Sequence, residues 1–267
     1  MGDAEYLLDN RAAAAGRRFE VLSALFDPST FRHLAALGVD AGWRCWELGA
    51  GGTPVVRWLA ERVGPDGYVL ATDIDVSWAV DAASAYVEVR RHDVERDDPP
   101  ERGTFDLVHA RLVLVHLRER ERVLRSLVQT LRPGGWLLIE DADPALQPLS
   151  CIDEYGPAQA LANSIRRGFR ALLAARGADL AYGRKLPRLL RAAGLSNVAA
   201  DAYFPVASPV CSALETETIA MIRDQLVEHG IATVEEIETH LANVAAGQLD
   251  LAQPPMISAW GQLQPPA

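Results

Sequence analysis

Short apolar segments alternate with amphipathic segments throughout residues 43–143, and this alternation limits the possible folds more than any other feature of the chain. YVLATDID, at residues 68–75, is apolar until its acidic end. The segment before it places these apolar residues on one side of a helix: Val55, Val56, Leu59, Ala60 and Val63. Because buried parallel strands are apolar almost throughout, the pattern predicts an α/β fold with a doubly wound, Rossmann-like sheet.

The predicted elements extend beyond this region. We expect strands near residues 43–48, 68–75, 87–93, 105–110, 136–140, 197–206 and 255–260, and late helices near 158–176, 185–193, 214–229 and 233–246. Residues 4–36 are expected to be helical, with a break at Asp27-Pro28 and a cap at Ser29 or Thr30. The expected regions are an N-terminal helical cap (1–38), a core (39–150), a helical lid (151–180) and the rest of the core (181–267) with a helical insertion (213–247).

Composition narrows the class of protein. The 267 residues are 49% hydrophobic, enough for a full core, and the net charge of −10 disfavours binding to nucleic acid or anionic lipid. The three cysteines are far apart and have neither metal-ligand nor disulfide spacing, which is typical of a reducing cytoplasm. No apolar run is long enough for a membrane span. We expect a cytoplasmic protein without a nucleic-acid, membrane or metal partner.

A glycine turn between the first predicted strand and helix marks a ligand site. In WELGAGGTPVV, Gly49 and Gly51 let the backbone approach a ligand closely. The helix that follows presents free N–H groups, with Thr53 as its expected cap and Pro54 in its first turn. Glu47 precedes the turn and would repel a dinucleotide pyrophosphate but attract an ammonium group. A ligand with an amino-acid end and a ribose end fits this pattern.

The ordered motifs of residues 40–143 resemble those of the class I S-adenosylmethionine-dependent methyltransferases, which have a Rossmann-like, seven-stranded sheet. ELGAG matches the family's acidic-x-Gly-x-Gly motif, and FDLVHARLVLVHL and LRPGGWLLIED match the motifs around the fourth and fifth strands. Thr53 stands where many members have a third glycine, which is a departure from the pattern. The resemblance implies S-adenosylmethionine as the cofactor and a small-molecule methyl acceptor.

The resemblance also implies roles for individual residues. Glu47, Gly49 and Gly51 would face the methionine end, with Arg111 or its backbone nearby. Asp73 would bind the ribose, and Ile74 would pack on the adenine. Asp93 and Val94 would lie by the adenine amino group. Tyr6 and Asn10 would close over the cofactor.

Fewer residues are candidates for a direct role in the reaction than for cofactor binding. His116 is placed to act as a general base, and Asp141 or Asp143 to contact the substrate. His109 is expected to be a core histidine within a strand. His33, His229 and His240 show no pattern that indicates a site, and the arginines at 166, 167, 170 and 176 are expected to form a solvated helical face.

The methyl acceptor is not specified by these motifs. Aromatic residues in the expected lid favour a small, partly apolar molecule, and high Ala and Arg with low Lys resembles bacterial enzymes of secondary metabolism. A homodimer is possible. Alternatives are an enzyme that binds S-adenosylmethionine but catalyses a non-methylating reaction such as cyclisation, a noncatalytic scaffold, and a nicotinamide-dependent oxidoreductase, against which Glu47 argues.

Overall fold

The computed structural model describes residues 13–265, and its strands form one seven-stranded sheet in the order β3-β2-β1-β4-β5-β7-β6. The strands are β1 (Arg44–Leu48), β2 (Tyr68–Asp73), β3 (Val87–Arg91), β4 (Phe105–Arg111), β5 (Leu131–Ala142), β6 (Ser196–Tyr203) and β7 (Met256–Gln262). β1 to β5 pair in parallel, whereas β7 runs antiparallel to both β5 and β6. The predicted doubly wound, seven-stranded Rossmann-like fold is confirmed.

Seven α-helices are found among residues 13–265. They are α1 (Ala13–Ala36), α2 (Pro54–Val63), α3 (Arg120–Thr130), α4 (Pro157–Ala175), α5 (Leu186–Ala192), α6 (Pro209–Glu228) and α7 (Val234–Ala245). The chain divides into two compact units. The helical unit comprises the described residues up to Leu25 together with Asp143–Ala181 and Phe204–Pro255, and the sheet unit comprises Phe26–Ala142, Tyr182–Tyr203 and the residues from Met256 onward.

Alternate residues of the central strands supply two hydrophobic clusters of the sheet unit. Trp46 of β1 and Val108 of β4 belong to one cluster, with α3 residues such as Leu127. Their strand neighbours Cys45 and Leu107 belong to the other, with α2 residues such as Leu59. Because side chains alternate between the two faces of a strand, burial on both faces explains why these segments are apolar almost throughout.

The break expected at Asp27-Pro28 is wrong, because α1 continues through Pro28. A proline within a helix removes one backbone donor and crowds the preceding turn, at a cost of about 3 kcal/mol. Phe26 and Leu34 are buried on either side of it, and this packing holds the helix together. The hydroxyl of Thr30 donates to the Glu140 carboxylate instead of capping a helix.

The helical unit has its own apolar core. Ile165 and Leu172 of α4 are buried with Ile222 of α6 and Ile237 of α7. α4, α6 and α7 confirm the helices predicted in these segments, while their role as a lid stays a prediction. Over residues 13–265, no helix combines the length and the hydropathy that a membrane crossing requires.

Candidate functional site

The glycine turn that follows β1 is tied to the end of β2. The backbone N–H groups of Gly49 and Ala50 both donate to the carbonyl oxygen of Thr72, at 2.7 and 3.0 Å. Gly49 and Gly51 have φ values of +70° and +59°, which L side chains rarely adopt. A Cβ on Gly49 would also lie 2.2 Å from Cγ2 of Val113. The turn therefore requires glycine for backbone conformation and for space.

α2 begins directly after this turn. Pro54 occupies its first turn, as predicted. Thr53 is at the N-cap position, but its φ and ψ of −89° and −21° are helical and its side chain makes no capping hydrogen bond. The predicted capping role of Thr53 is wrong, because a capping side chain reaches the N2 or N3 donor from an extended backbone conformation.

Asp73, the last residue of β2, is buried beside the turn. Its Oδ2 accepts from the N–H of Gly51 at 3.0 Å, and its Oδ1 accepts from the N–H of Asp75 at 3.1 Å. Burial raises the pKa of the Asp73 carboxyl, and these backbone donors partly oppose that rise. A carboxylate has about four lone-pair sites, so acceptor sites remain for hydroxyl groups. The next residue, Ile74, is 49% exposed and offers apolar surface.

The turn after β3 contains the next predicted residues. Oδ1 of Asp93 accepts from the N–H of Glu95 at 3.0 Å, and the N–H of Asp93 donates to Asp97. Val94 is buried. His92 is also buried, which lowers the pKa of its imidazole. The Asp93 carboxylate thus stabilises its own turn, and its role toward an adenine stays a prediction.

Glu47 is not a solvated loop acid. It is 2% exposed, and its Oε2 lies 2.6 Å from Nδ1 of His109. His109 is fully buried, and its Nε2 lies 3.3 Å from Oε2 of Glu140. Burial lowers the pKa of His109, but the two carboxylates outweigh that effect and raise it to about 9. The prediction of a buried strand histidine is confirmed, although sequence reasoning missed its two carboxylate partners.

Arg111 lies near this pair but is bound to α1. Its guanidinium donates to Oγ1 of Thr30 and to Oδ1 of Asp27, both at 2.8 Å. The next residue, Leu112, has an unusual φ of +57°, and its N–H donates to the carbonyl of Glu140 at 2.8 Å. The placement of Arg111 or its backbone at the methionine end stays a prediction.

The prediction that His33 belongs to no cluster of functional side chains is wrong. Its Nδ1 lies 3.2 Å from Oε1 of Glu140, and its Nε2 lies 2.9 Å from Oδ1 of Asp201. The pKa of His33 is raised because these hydrogen bonds and charges outweigh its burial. Ser258 adds a further donor to Glu140, at 2.6 Å. Glu140 is 1% exposed, and its histidine and arginine neighbours hold its pKa well below the usual range against the effect of burial.

The two candidates for chemistry lie in the sheet unit in different surroundings. His116 ends a short 3-10 helix, Leu114–His116, and is partly buried. Asp141 is fully buried, and burial raises its pKa well above the usual range despite the nearby N–H groups of Val115 and Leu114. The roles of His116 and Asp141 stay predictions. In the helical unit, Oδ1 of Asp143 accepts from the N–H of Leu146 at 3.0 Å. Tyr6 and Asn10 lie outside the described residues.

The helical unit contains a second buried charge cluster, which corrects two expectations. Arg166 is 5% exposed and not part of a solvated face, and its Nη2 donates to Oε2 of Glu215 at 2.9 Å. His240 was expected to lack a site pattern, yet its Nε2 lies 3.0 Å from Oε1 of the same carboxylate. Arg166 and His240 hold the pKa of Glu215 at about 2 although burial raises it.

Among the residues from 13 to 265, no group of three or more His, Cys, Asp or Glu side chains could hold a metal ion.

Comparisons with known proteins agree with this geometry. A family model for a methyltransferase domain matches residues 46–137, which run from β1 into β5. Methyltransferase str2 of Strobilurus tenacellus is 34% identical over 152 residues, covering 55% of this chain and 50% of that protein. The ubiquinone/menaquinone biosynthesis C-methyltransferase UbiE of Vibrio parahaemolyticus is 28% identical over 131 residues, covering 44% and 49%. The chain thus spans about half the length of these curated relatives.

Solved structures share the fold at low sequence identity. A phosphoethanolamine N-methyltransferase 2 from Haemonchus contortus aligns with a TM-score of 0.60 and 14% identity, over 100% of this chain and 61% of that one. The YcgJ protein of Bacillus subtilis aligns with a TM-score of 0.57 and 15% identity, over 90% of this chain and 100% of that one.

Proposed function

We propose that this chain, which belongs to the class I S-adenosylmethionine-dependent methyltransferases, transfers the methyl group of S-adenosylmethionine to a small molecule. The observation that carries this proposal is the hydrogen bond of 3.0 Å between the N–H of Gly51 and Oδ2 of Asp73. This bond holds a carboxylate with remaining acceptor sites beside a glycine-rich turn, as a ribose next to a close backbone approach requires. The family match over residues 46–137 supports the assignment.

The residues present fit the cofactor in shape and charge. Gly49 and Gly51 let the backbone of the turn adopt positive φ values without a side chain, and Asp73 offers acceptors for ribose hydroxyls. Ile74 supplies apolar surface for a purine ring, and Glu47 supplies negative charge for an ammonium group. We assign Asp93 and Val94 to the adenine edge and Arg111 to the methionine end on the family pattern alone.

S-adenosylmethionine supplies a methyl group that its sulfonium already activates. The chain therefore contributes by binding the cofactor and the acceptor, by orienting them toward each other and by excluding water. An acceptor hydroxyl or amine must also lose a proton, and we assign that step to His116. Burial raises the pKa of Asp141 and so favours its protonated form, and we assign this carboxyl to donate a hydrogen bond to the acceptor.

The acceptor that we propose is a small, partly apolar molecule of secondary metabolism. The net charge of −10 disfavours nucleic acid. Tyr155 is 86% exposed in the helical unit, and Phe204 is also exposed there; such side chains suit an aromatic or apolar ligand. Since the relative UbiE is a C-methyltransferase of quinone biosynthesis, phenols and quinols belong in an acceptor screen, together with amines.

Calorimetric titration tests the cofactor assignment first. We expect micromolar binding of S-adenosylmethionine and S-adenosylhomocysteine and no binding of NADH. The Gly51→Val variant should lose this binding, because its side chain would occupy the backbone approach. Gly103→Val is the matched control: Gly103 has a φ of +68° with nothing within 4 Å of an added Cβ, so it carries similar strain without touching the turn. Normal binding by Gly51→Val would show that the turn does not face the ligand.

Methyl transfer is the second stage of the test. Labelled S-adenosylmethionine is incubated with the acceptor panel, and label in a product identifies the substrate class. Consumption of an acceptor without transfer of label would instead support a non-methylating reaction. If the protein bound neither adenosyl ligand, the scaffold alternative would replace the enzyme.

A further inference from the structure

A buried charge cluster joins the glycine turn to the far side of the sheet unit. Its members are Asp27 and His33 of α1, Glu47 of β1, His109 and Arg111 of β4, and Glu140 of β5. All lie in the sheet unit. Hydrogen bonds connect Glu47 to His109, His109 to Glu140, and Glu140 to His33. Beyond His33, the line of contacts continues to Asp201 on β6, which is partly exposed and also forms an ion pair with Arg32 of α1.

The hydrogen bonds of His109 define its protonation state. Each of its two ring nitrogens faces a carboxylate oxygen, at 2.6 and 3.3 Å. An ionised carboxylate only accepts hydrogen bonds, so both nitrogens must carry a proton. His109 is therefore an imidazolium. The two ring nitrogens of His33 likewise face carboxylate oxygens, of Glu140 and Asp201. With both imidazoles charged, the six members are three cations and three carboxylates, and the cluster is neutral.

The two carboxylates do not depend equally on His109. Glu140 also accepts hydrogen bonds from Thr30 and Ser258 and contacts His33. Across residues 13–265, the only group that binds the Glu47 side chain is His109 through Oε2, which leaves Oε1 available. Removal of His109 would therefore leave Glu47, and not Glu140, as an uncompensated buried charge.

We infer that His109 is a positioning residue for the cofactor, an imidazolium that fixes the Glu47 side chain through Oε2 so that Oε1 meets the ammonium group of the ligand. This inference rests on the proposed function, because it takes Glu47 as the ammonium contact. The other charged groups that face His109 or its partners are Glu140 from β5, Arg111 from β4, Asp27, Arg32 and His33 from α1, and Asp201 from β6.

The inference predicts a change in how ligand affinity depends on pH. In the wild type, the imidazolium of His109 holds Glu47 in place across this range, so the affinity for S-adenosylhomocysteine should be constant between pH 5.5 and about 7, below the α-amino pKa of roughly 7.7–8.0. In His109→Asn, Glu47 takes up a proton, because a buried carboxyl without a cation is more stable when neutral. We expect affinity at least about tenfold weaker at pH 5.5, rising toward the wild-type value as pH increases.

His240→Asn is the matched control for this experiment. His240 is also fully buried and also bound to a glutamate, at 3.0 Å, but it lies in the helical unit. Both variants should lose thermal stability. A purely structural role of His109 would give both the same flat affinity profile, and that outcome would overturn the inference while leaving the proposed function intact.

A measurement on the wild type covers the case in which His109→Asn does not fold. The imidazole of His109 is followed by NMR through its titration, with and without S-adenosylhomocysteine. The carboxylate of Glu47 keeps a bound ammonium group charged above its free pKa of roughly 7.7–8.0. That charge competes with the imidazolium, so the ligand should lower the pKa of His109 from its value of about 9. An unchanged titration with the ligand bound contradicts the inference. No ligand binding by the wild type would contradict the proposed function, and the inference with it.

Discussion

The backbone N–H of Gly51 donates a hydrogen bond to Oδ2 of Asp73, 22 residues further along the chain, at 3.0 Å. This bond joins the turn after β1 to the end of β2, where the carbonyl of Thr72 already accepts from Gly49 and Ala50. The two parts of the candidate site are therefore fixed relative to each other before any ligand binds, which reduces the ordering that binding must impose.

Asp73→Ala should weaken binding of S-adenosylhomocysteine by about 5- to 150-fold, or roughly 1–3 kcal/mol, because hydroxyl groups and the Gly51 N–H lose their acceptor. Calorimetry gives the change. Asp73→Asn keeps one acceptor oxygen at nearly the same volume and should show an intermediate loss. Equal affinity in all three proteins would remove Asp73 from the ligand site.

Gly49→Ala should destabilise the fold beyond the cost of its backbone conformation. A left-handed alanine costs roughly 1–2 kcal/mol, and the clash with Val113 adds about 1–3 kcal/mol. Gly103→Ala is the control, since Gly103 has a φ of +68° and nothing lies within 4 Å of an added Cβ. Urea unfolding of both variants isolates the clash, and equal losses would mean that Val113 moves aside without cost.

The stability of the fold should fall between about pH 6.5 and 9 as His109 loses its proton. Its pKa of about 9 in the folded state lies above the ordinary value of 6.5, so its contribution is complete below 6.5 and is lost as pH rises through 9. That difference corresponds to at most on the order of 3 kcal/mol. Unfolding free energies measured at several pH values give the slope, and His109→Asn should flatten it.

Arg166→Ala should cost roughly 3–5 kcal/mol, since it leaves the buried Glu215 carboxylate without its cation. Arg223→Ala tests the same pair of residue types at the surface: Arg223 lies 2.8 Å from Glu238, and both are exposed. That variant should change the unfolding free energy by less than about 1 kcal/mol. Similar losses in the two variants would contradict the role assigned to burial.

The sequence predicted the sheet because its local patterns and its packing agree. Between β1 and β5, the apolar strands and the apolar faces of the helices that the sequence predicts are the surfaces that pack in the core. The glycine turn was predictable as well, because its backbone conformation depends on residue type. The break at Pro28 was predicted wrongly, since local propensity was outweighed by the burial of neighbours such as Leu34.

The buried charge cluster was missed for a different reason. Glu47 of β1 lies directly opposite His109 of β4, and Glu140 of β5 lies opposite Arg111 of β4. Strand register would have brought them together, and polar residues in otherwise apolar strands were the available signal. His33 reaches the same group only through the packing of α1 on the sheet, which no local pattern encodes.

Neutrality of the buried charge cluster limits how this chain can diverge or be redesigned. Loss of a single ionised side chain, such as His109, leaves an uncompensated charge in the interior. Replacement of a cation and a carboxylate together by neutral residues does not. Replacements at these positions are therefore expected to occur as compensating pairs. The acidic residue before the glycine turn is thereby linked to positions on three other strands or helices, and its evolution is coupled to theirs.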